Sequence, residues 1–149
     1  MAAPITLVAQ AWSAASPAAV YDLVADGATW PSWTPIGSFR LEREGEDGGQ
    51  TRGAIRVFRI LVGSSREEIV ELRPGEQVSY RLLSGLPVRD HRADVLLTPS
   101  EGGTAIVWQE RFVPGIPGTG PALRLFLTWF TRRFANGLAA HAARRAPTG

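Results

Sequence analysis

The 149-residue sequence contains neither cysteine nor lysine, and each absence limits what the protein can be. Without cysteine the chain forms no disulfide and no thiolate metal site. This absence does not indicate whether the protein works in an oxidising or a reducing compartment. All sixteen basic residues are arginine, which keeps its charge at any accessible pH. This explains how a net charge of only +2 accompanies a pI near 9.9. Because the arginines are scattered among acids, the high pI does not indicate nucleic-acid binding.

Long hydrophobic runs are missing as well. The longest apolar stretch, near residues 123–130, is too short and too interrupted by arginine to span a bilayer. Residues 1–8 lack the basic region and the long apolar run of a secretory signal. These patterns predict a cytoplasmic protein without stable membrane insertion.

Several catalytic motifs are also absent. No glycine-rich loop carries the lysine of a phosphate site, and no serine lies in a nucleophile elbow. His91 and His141 are fifty positions apart and have no nearby acid cluster, so metal-ligand spacing is lacking. We therefore expect no metal, no cofactor and no nucleic-acid partner.

What is present favours one globular domain over residues 1–149. The length suits a single core, and a hydrophobic content of 44% is ordinary for such a domain. Five tryptophans and six phenylalanines supply more large aromatic surface than a minimal core needs.

The hydrophobic patterns predict an α+β fold. Ser16 before Pro17 predicts a helix over residues 17–25, and 28–33 is a short second helix or a turn. A long last helix begins at residue 120, and the tail 146–149 is expected to fray. Its apolar residues recur every three or four positions. The seven predicted strands, joined by short loops as a curved antiparallel meander, are 5–12, 38–44, 53–60, 65–73, 77–83, 88–97 and 104–113.

Five short segments together give the chain a family resemblance. They read SPAAVYDLV at 16–24, WPSW at 30–33, GLPVRD at 85–90, GGTAIVW at 102–108 and PGTG at 117–120. With this element order, the sequence resembles the START-like helix-grip superfamily, and within it the polyketide cyclase/dehydrase (SRPBCC) branch. The resemblance implies a long C-terminal helix packed across the sheet over a deep apolar cavity. It implies little about reaction, because the superfamily has many functions.

Successive side chains of a strand point to opposite faces of the sheet, and this strand parity predicts which residues face that cavity. In 104–113 the large aromatics share a face with Glu110, and in 88–97 the apolar face includes His91. A hairpin closing near 99–103 places His91 opposite or diagonal to Glu110. The pair is a candidate for acid–base catalysis, for polar contacts with a ligand, or for a structural network in which Glu110 pairs with Arg89 or Arg56.

Other cavity residues follow from the same parity. Trp33 either shapes one end of the cavity or plugs the core, and both faces of 53–60 carry large residues, which leaves its orientation open. The loops 84–87 and 114–120 are either a gate or tight connections. The predicted ligand-binding residues are Trp33, Arg56, Phe58, Tyr80, Leu82, His91, Val95, Trp108, Glu110, Phe112, Phe126 and Phe130.

Three functions remain open from the sequence. The first is binding of a hydrophobic, lipid-like or polyketide-like small molecule. The second is a polyketide cyclase, aromatase or dehydratase that uses His91 and Glu110 as catalytic residues. The third is a regulatory or interaction module with a collapsed cavity, whose basic helix face contacts an anionic partner. The basic helix face comprises Arg132, Arg133, Arg144 and Arg145. The chain is expected to be a monomer or a homodimer.

Overall fold

A computed structural model describes residues 3–61 and 63–145. The tail 146–149, predicted to fray, lies outside the described residues. Within the described ranges no helix combines the length and the hydropathy needed to cross a membrane. The elements, in chain order, are β1 (Ile5–Ser13), α1 (Pro17–Ala25), a 3-10 helix (Gly27–Ser32), β2 (Phe39–Arg43), β3 (Ile55–Ile60), β4 (Gly63–Arg73), β5 (Gln77–Ser84), β6 (Val88–Ser100), β7 (Gly103–Pro114) and α2 (Gly120–Arg145).

The seven strands form one antiparallel sheet in the order β1-β7-β6-β5-β4-β3-β2. The predicted α+β class and seven-stranded antiparallel sheet are confirmed. The meander holds from β2 to β7, but β1 lies beside β7 and not beside β2. This happens because α1 and the 3-10 helix carry the chain from one edge of the sheet to the other.

Local signals explain where α1 and the β4–β5 turn lie. The Ser16 hydroxyl accepts a hydrogen bond from the Ala19 amide at 3.2 Å, and Pro17 occupies the first turn of α1. Between β4 and β5, Pro74 precedes Gly75, whose φ of +74° is the conformation that a type II turn requires. The Glu76 amide closes that turn on the Arg73 carbonyl at 2.9 Å.

Helix α2 packs on the sheet and passes very close to the segment that follows the 3-10 helix. Its buried residues include Leu127, Phe134 and Leu138, whereas Phe130 is only partly buried. At Gly137 a side chain would collide with the main chain, because an added Cβ would lie 2.0 Å from the carbonyl oxygen of Trp33. The glycine therefore permits the close approach of helix and loop.

One end of the space under α2 is filled by an aromatic core cluster, defined by Trp30, Trp33, Phe58, Trp108 and Phe134. Trp30 is fully buried and stacks on Phe58 with ring centroids 4.7 Å apart. Its indole N–H donates to the Val24 carbonyl at 3.0 Å, so burial leaves no unpaired indole group. The cluster fills this end of the sheet with side chains, and among the described residues a pocket stays open toward the other end.

Candidate functional site

The open space is a pocket between α2 and the sheet, with a volume of about 90 Å³. Its wall is mostly apolar: α2 supplies Phe126, Leu127 and Phe130, and Leu86 from the β5–β6 loop adds to it. Leu61, 91% exposed, and Phe126, 40% exposed, lie at its mouth. The polar side chains of the wall are Ser65, Glu67, Tyr80, His91, Glu110 and Thr131.

The structure divides the predicted ligand-binding residues into two groups. Six line this pocket: Tyr80, Leu82, His91, Glu110, Phe126 and Phe130. The other six lie outside the pocket. Phe112 packs with Leu7, Leu123 and Leu127 in a second apolar cluster. Trp33, Arg56, Phe58, Val95 and Trp108 are buried in or beside the aromatic core cluster.

His91 and Glu110 meet as strand parity predicts. Ala93 is the residue of β6 that pairs directly with Glu110, so His91, two positions earlier, is diagonal to it. The ladder is irregular between Arg89 and Arg92, next to Asp90 with its positive φ of 51°. The imidazole Nε2 lies 2.7 Å from Glu110 Oε1.

The hydrogen bonds around this pair define the tautomer of His91. The Leu82 amide donates to Nδ1 at 3.0 Å, so Nδ1 carries no proton and Nε2–H donates to Glu110. The second Glu110 oxygen accepts a short hydrogen bond from the Thr131 hydroxyl on α2. Both ring nitrogens and both carboxylate oxygens are thus engaged. A base role for His91 would require one of these bonds to break first.

Glu110 does not pair with either arginine considered as its partner. Arg89 is exposed, and Arg56 is fully buried in a different contact, with its Nη2 3.5 Å from Glu67 Oε1. The Arg56 guanidinium also lies 4.9 Å from the Trp30 ring centroid, in a cation–π contact. The alternative in which Glu110 pairs with Arg56 or Arg89 is therefore wrong.

Arg56 is only loosely held for a buried charge. Its Nη1 donates to the carbonyls of Val24 and Ala25 at 3.4 Å each, and its Nε has no partner among the described residues. Burial lowers the pKa of Arg56, and the neighbouring Glu67 carboxylate counters that effect. Its position resolves the orientation of β3: Arg56 and Phe58 point inward.

Glu67 is the acidic pocket residue that was not predicted from the sequence; the polar residues Ser65 and Thr131 were not predicted either. Burial raises the pKa of Glu67 to about 7, although the charge of Arg56 opposes this shift. Oε1 faces Arg56, while Oε2 has no hydrogen-bond partner in the described part of the chain. The only signal in the sequence was that Glu67 lies two positions before the apolar residue Ile69. Both side chains therefore point to the same buried face of β4.

Tyr80 presents a hydroxyl to the same pocket. Its oxygen accepts from the Trp108 indole at 3.2 Å, and no described residue accepts its proton. Burial, together with the charges of Glu67 and Glu110, raises the pKa of Tyr80 well above its usual value. Tyr80 is 3% exposed, so its hydroxyl does not reach the solvent rim.

The whole described fold matches a family model. Residues 4–144 match the model described as "Polyketide cyclase / dehydrase and lipid transport". The chain belongs to this family. No curated protein matches the sequence.

Solved structures of this family's fold resemble the chain over most of its length. A START superfamily protein from Mycobacterium smegmatis is 15% identical with a TM-score of 0.79, covering 93% of this chain and 97% of that one. A protein from Thermobifida fusca is 26% identical with a TM-score of 0.75, covering 97% of each chain. Ara h 8.0201 is 12% identical with a TM-score of 0.77, covering 96% of this chain and all of the other. They share the helix-grip architecture.

Proposed function

We propose that this polyketide cyclase/dehydrase family member binds a small, mainly apolar molecule in the pocket between α2 and the sheet. The observation that carries the proposal is the pocket wall, in which apolar side chains surround a few buried polar groups. Such walls are typical of small-molecule sites, because apolar burial supplies affinity and the polar groups orient the ligand. The family description, which names lipid transport, supports the same function.

The size of the pocket limits the ligand it holds without adjustment. Its volume of about 90 Å³ is well below the ~300–1,000 Å³ typical of drug-sized ligand pockets. One aromatic ring is therefore the natural size for this conformation. A lipid-like or polyketide-like chain needs the exposed side chains of Leu61 and Phe126 to move outward from the mouth. Each additional buried CH₂ then contributes ~0.8 kcal/mol to binding.

A second candidate function is acid–base catalysis, and Glu67 is the observation that favours it. A carboxyl group with a pKa of about 7 is suited to exchange a proton near neutral pH. Its Oε2 reaches the pocket, whereas both nitrogens of His91 are already engaged. We therefore transfer the predicted proton-moving role from His91 to Glu67. An enzyme of this kind loses turnover in Glu67→Gln while it still binds its substrate.

The binding proposal is tested by filling the pocket from one strand of its wall. Leu82 and Leu83 are adjacent on β5, but only Leu82 lines the pocket. In Leu82→Trp the indole occupies the pocket, whereas in Leu83→Trp it lies on the opposite face of the sheet. We expect toluene, followed by amide NMR titration, to bind the natural protein and Leu83→Trp equally, and Leu82→Trp at least tenfold more weakly.

Two results would contradict the binding proposal. Equal toluene affinity in all three proteins would place the toluene outside the pocket. A folded natural protein that binds neither toluene nor phenol would favour the third function, an interaction module whose surface arginines meet an anionic partner. Circular dichroism of each variant verifies that the fold is intact.

A further inference from the structure

We infer that the pocket selects ligands that carry a hydroxyl group, held between the Glu67 carboxyl and the Tyr80 hydroxyl. The inference rests on the proposed binding function and specifies its ligand class. It follows from the donors and acceptors of the pocket wall that have no hydrogen-bond partner among the described residues. It follows also from the positions of the two groups on adjacent strands.

The two groups are close neighbours on one face of the sheet. Glu67 pairs with Leu82 across β4 and β5, and Ile69 pairs with Tyr80. Glu67 is therefore diagonal to Tyr80, and such neighbours lie roughly 7–8 Å apart between their backbones. Both side chains are buried and both line the pocket. A single ligand oxygen can lie between them and reach each one.

The remaining strong polar groups of the wall are already occupied. His91 accepts from the Leu82 amide and donates to Glu110, and Glu110 accepts from both His91 and Thr131. What stays open on them is acceptor lone pairs, on the Glu110 carboxylate and on the Thr131 hydroxyl.

Glu67 and Tyr80 add an acceptor and a donor that face each other. Glu67 Oε2 has no partner within residues 3–61 and 63–145, and Tyr80 uses its oxygen only to accept from Trp108. Because the pKa of Tyr80 is raised well above its usual value, this phenol keeps its proton and stays a donor. The nearby Ser65 hydroxyl can donate or accept, so it does not discriminate between ligand classes.

A hydroxyl group matches this pair better than other polar groups do. It donates its proton to Glu67 and accepts the proton of Tyr80 with the same oxygen. At pH 8, above the Glu67 pKa of about 7, an ether or a carbonyl only accepts, which leaves the ionised carboxylate unpaired. A hydrocarbon removes water from Glu67 and Tyr80 without offering a hydrogen bond in return, which opposes binding. The wall therefore discriminates by hydrogen bonding as well as by size.

The ligand series phenol, anisole and toluene tests the inference. The three molecules share one ring and differ in whether the substituent donates and accepts, only accepts, or does neither. At pH 8, where Glu67 is ionised, we expect amide NMR titrations to give phenol about tenfold tighter binding than anisole or toluene, as expected for hydrogen bonds to a charged partner. A purely apolar pocket prefers toluene, since water releases it more readily.

Variants test whether Glu67 and Tyr80 cause the preference. Glu67→Gln keeps an oxygen for Arg56 and turns an N–H₂ group toward the ligand, and Tyr80→Phe removes the donor. Each is expected to lower the phenol-to-toluene affinity ratio by roughly fivefold or more with little change for toluene. Tyr80→Phe also removes the acceptor of Trp108, so its folding is measured separately. The matched controls, Glu68→Gln on the other face of β4 and Tyr21→Phe on α1, should keep the natural ratio.

The outcomes separate this inference from the proposed function. If toluene binds as tightly as phenol, the pocket binds apolar molecules but the hydroxyl inference is overturned. If the phenol preference persists in both Glu67→Gln and Tyr80→Phe, the assignment to these residues is overturned. If no member of the series binds the folded protein, both proposals fail.

Discussion

Glu67 and Glu110 lie on the same face of the sheet, yet their surroundings give them different chemistry. Glu110 receives two hydrogen bonds, from His91 and from Thr131. Glu67 receives one long contact, at 3.5 Å, from the buried Arg56. The first carboxyl therefore fixes structure, whereas the second keeps an oxygen for a ligand and has a pKa raised to about 7.

The raised pKa of Glu67 predicts an unusual pH dependence of stability. The folded protein holds this proton up to about pH 7, while the unfolded chain releases it near its ordinary value of 4.5. The unfolded state therefore binds fewer protons between these values, so the free energy of unfolding falls as pH rises from about 4.5 to about 7. We expect this loss in the natural protein relative to Glu67→Gln, on the order of 3 kcal/mol.

Urea unfolding at several pH values measures this difference. Arg56, Tyr80, His91 and Glu110 face this position in both proteins, so the comparison isolates the effect of the Glu67 carboxyl. Glu68→Gln, on the opposite face of β4, is the control and should follow the natural protein. A natural protein that gains stability relative to Glu67→Gln over this range would show that the Glu67 pKa is lowered instead.

Thr131 offers a second test at the residue scale. Thr131→Val keeps the side-chain shape but removes the hydroxyl that donates to Glu110. Because Glu110 is buried, losing a donor to its carboxylate should cost about 1–3 kcal/mol in the free energy of unfolding. Thr128→Val, one turn earlier on α2 and partly exposed, should change it by less than about 0.5 kcal/mol. Equal stabilities of the two variants in urea would contradict the Thr131–Glu110 contact.

The sequence predicts the positions of some of these residues but not the positions of others. The meeting of His91 and Glu110 follows from alternation along two strands joined by a short hairpin. Glu67 was missed because polar residues fill both faces of β4 around it, which hides the period of two. Arg56 could not be oriented, since large side chains occupy both faces of its strand.

At the scale of elements, the docking of α2 depends on a single glycine. Gly137→Ala adds a methyl group in the position that would lie 2.0 Å from the Trp33 carbonyl oxygen. Alanine favours an isolated helix by ~1 kcal/mol, so propensity alone predicts stabilisation. We expect the collision to dominate, with a net loss of about 1–3 kcal/mol as the helix is displaced.

Equilibrium unfolding in urea measures that loss. Asn136→Ala is the matched control, because it is adjacent on α2, exposed, and gains the same type of helix former. It should be neutral or slightly stabilising. If Gly137→Ala is also more stable than the natural protein, α2 does not approach Trp33 this closely.

Local patterns predicted the elements better than their arrangement. The predicted bounds of α1 agree with the structure, because a serine cap followed directly by a proline defines where the helix starts. The partner of β1 was not predicted, since pairing with β7 joins opposite ends of the chain and no local pattern encodes it. Only the complete sheet places these strands side by side.

At the scale of the whole molecule, the division of space under α2 determines where a ligand can bind. The resemblance implied a deep cavity, but the aromatic core cluster fills one end of it and leaves about 90 Å³. Alternation along a strand tells which face a side chain takes, but not whether other side chains already fill the space there. For this reason six predicted ligand-binding residues lie outside the pocket.

Amide chemical shifts during a titration with toluene test the binding claim most directly. We expect saturable shifts for residues around Leu82, His91 and Phe130, and their loss in Leu82→Trp but not in Leu83→Trp. Shifts confined to the exposed α2 residues Leu125 and Trp129, or no shifts in the folded protein, would contradict a binding pocket between α2 and the sheet.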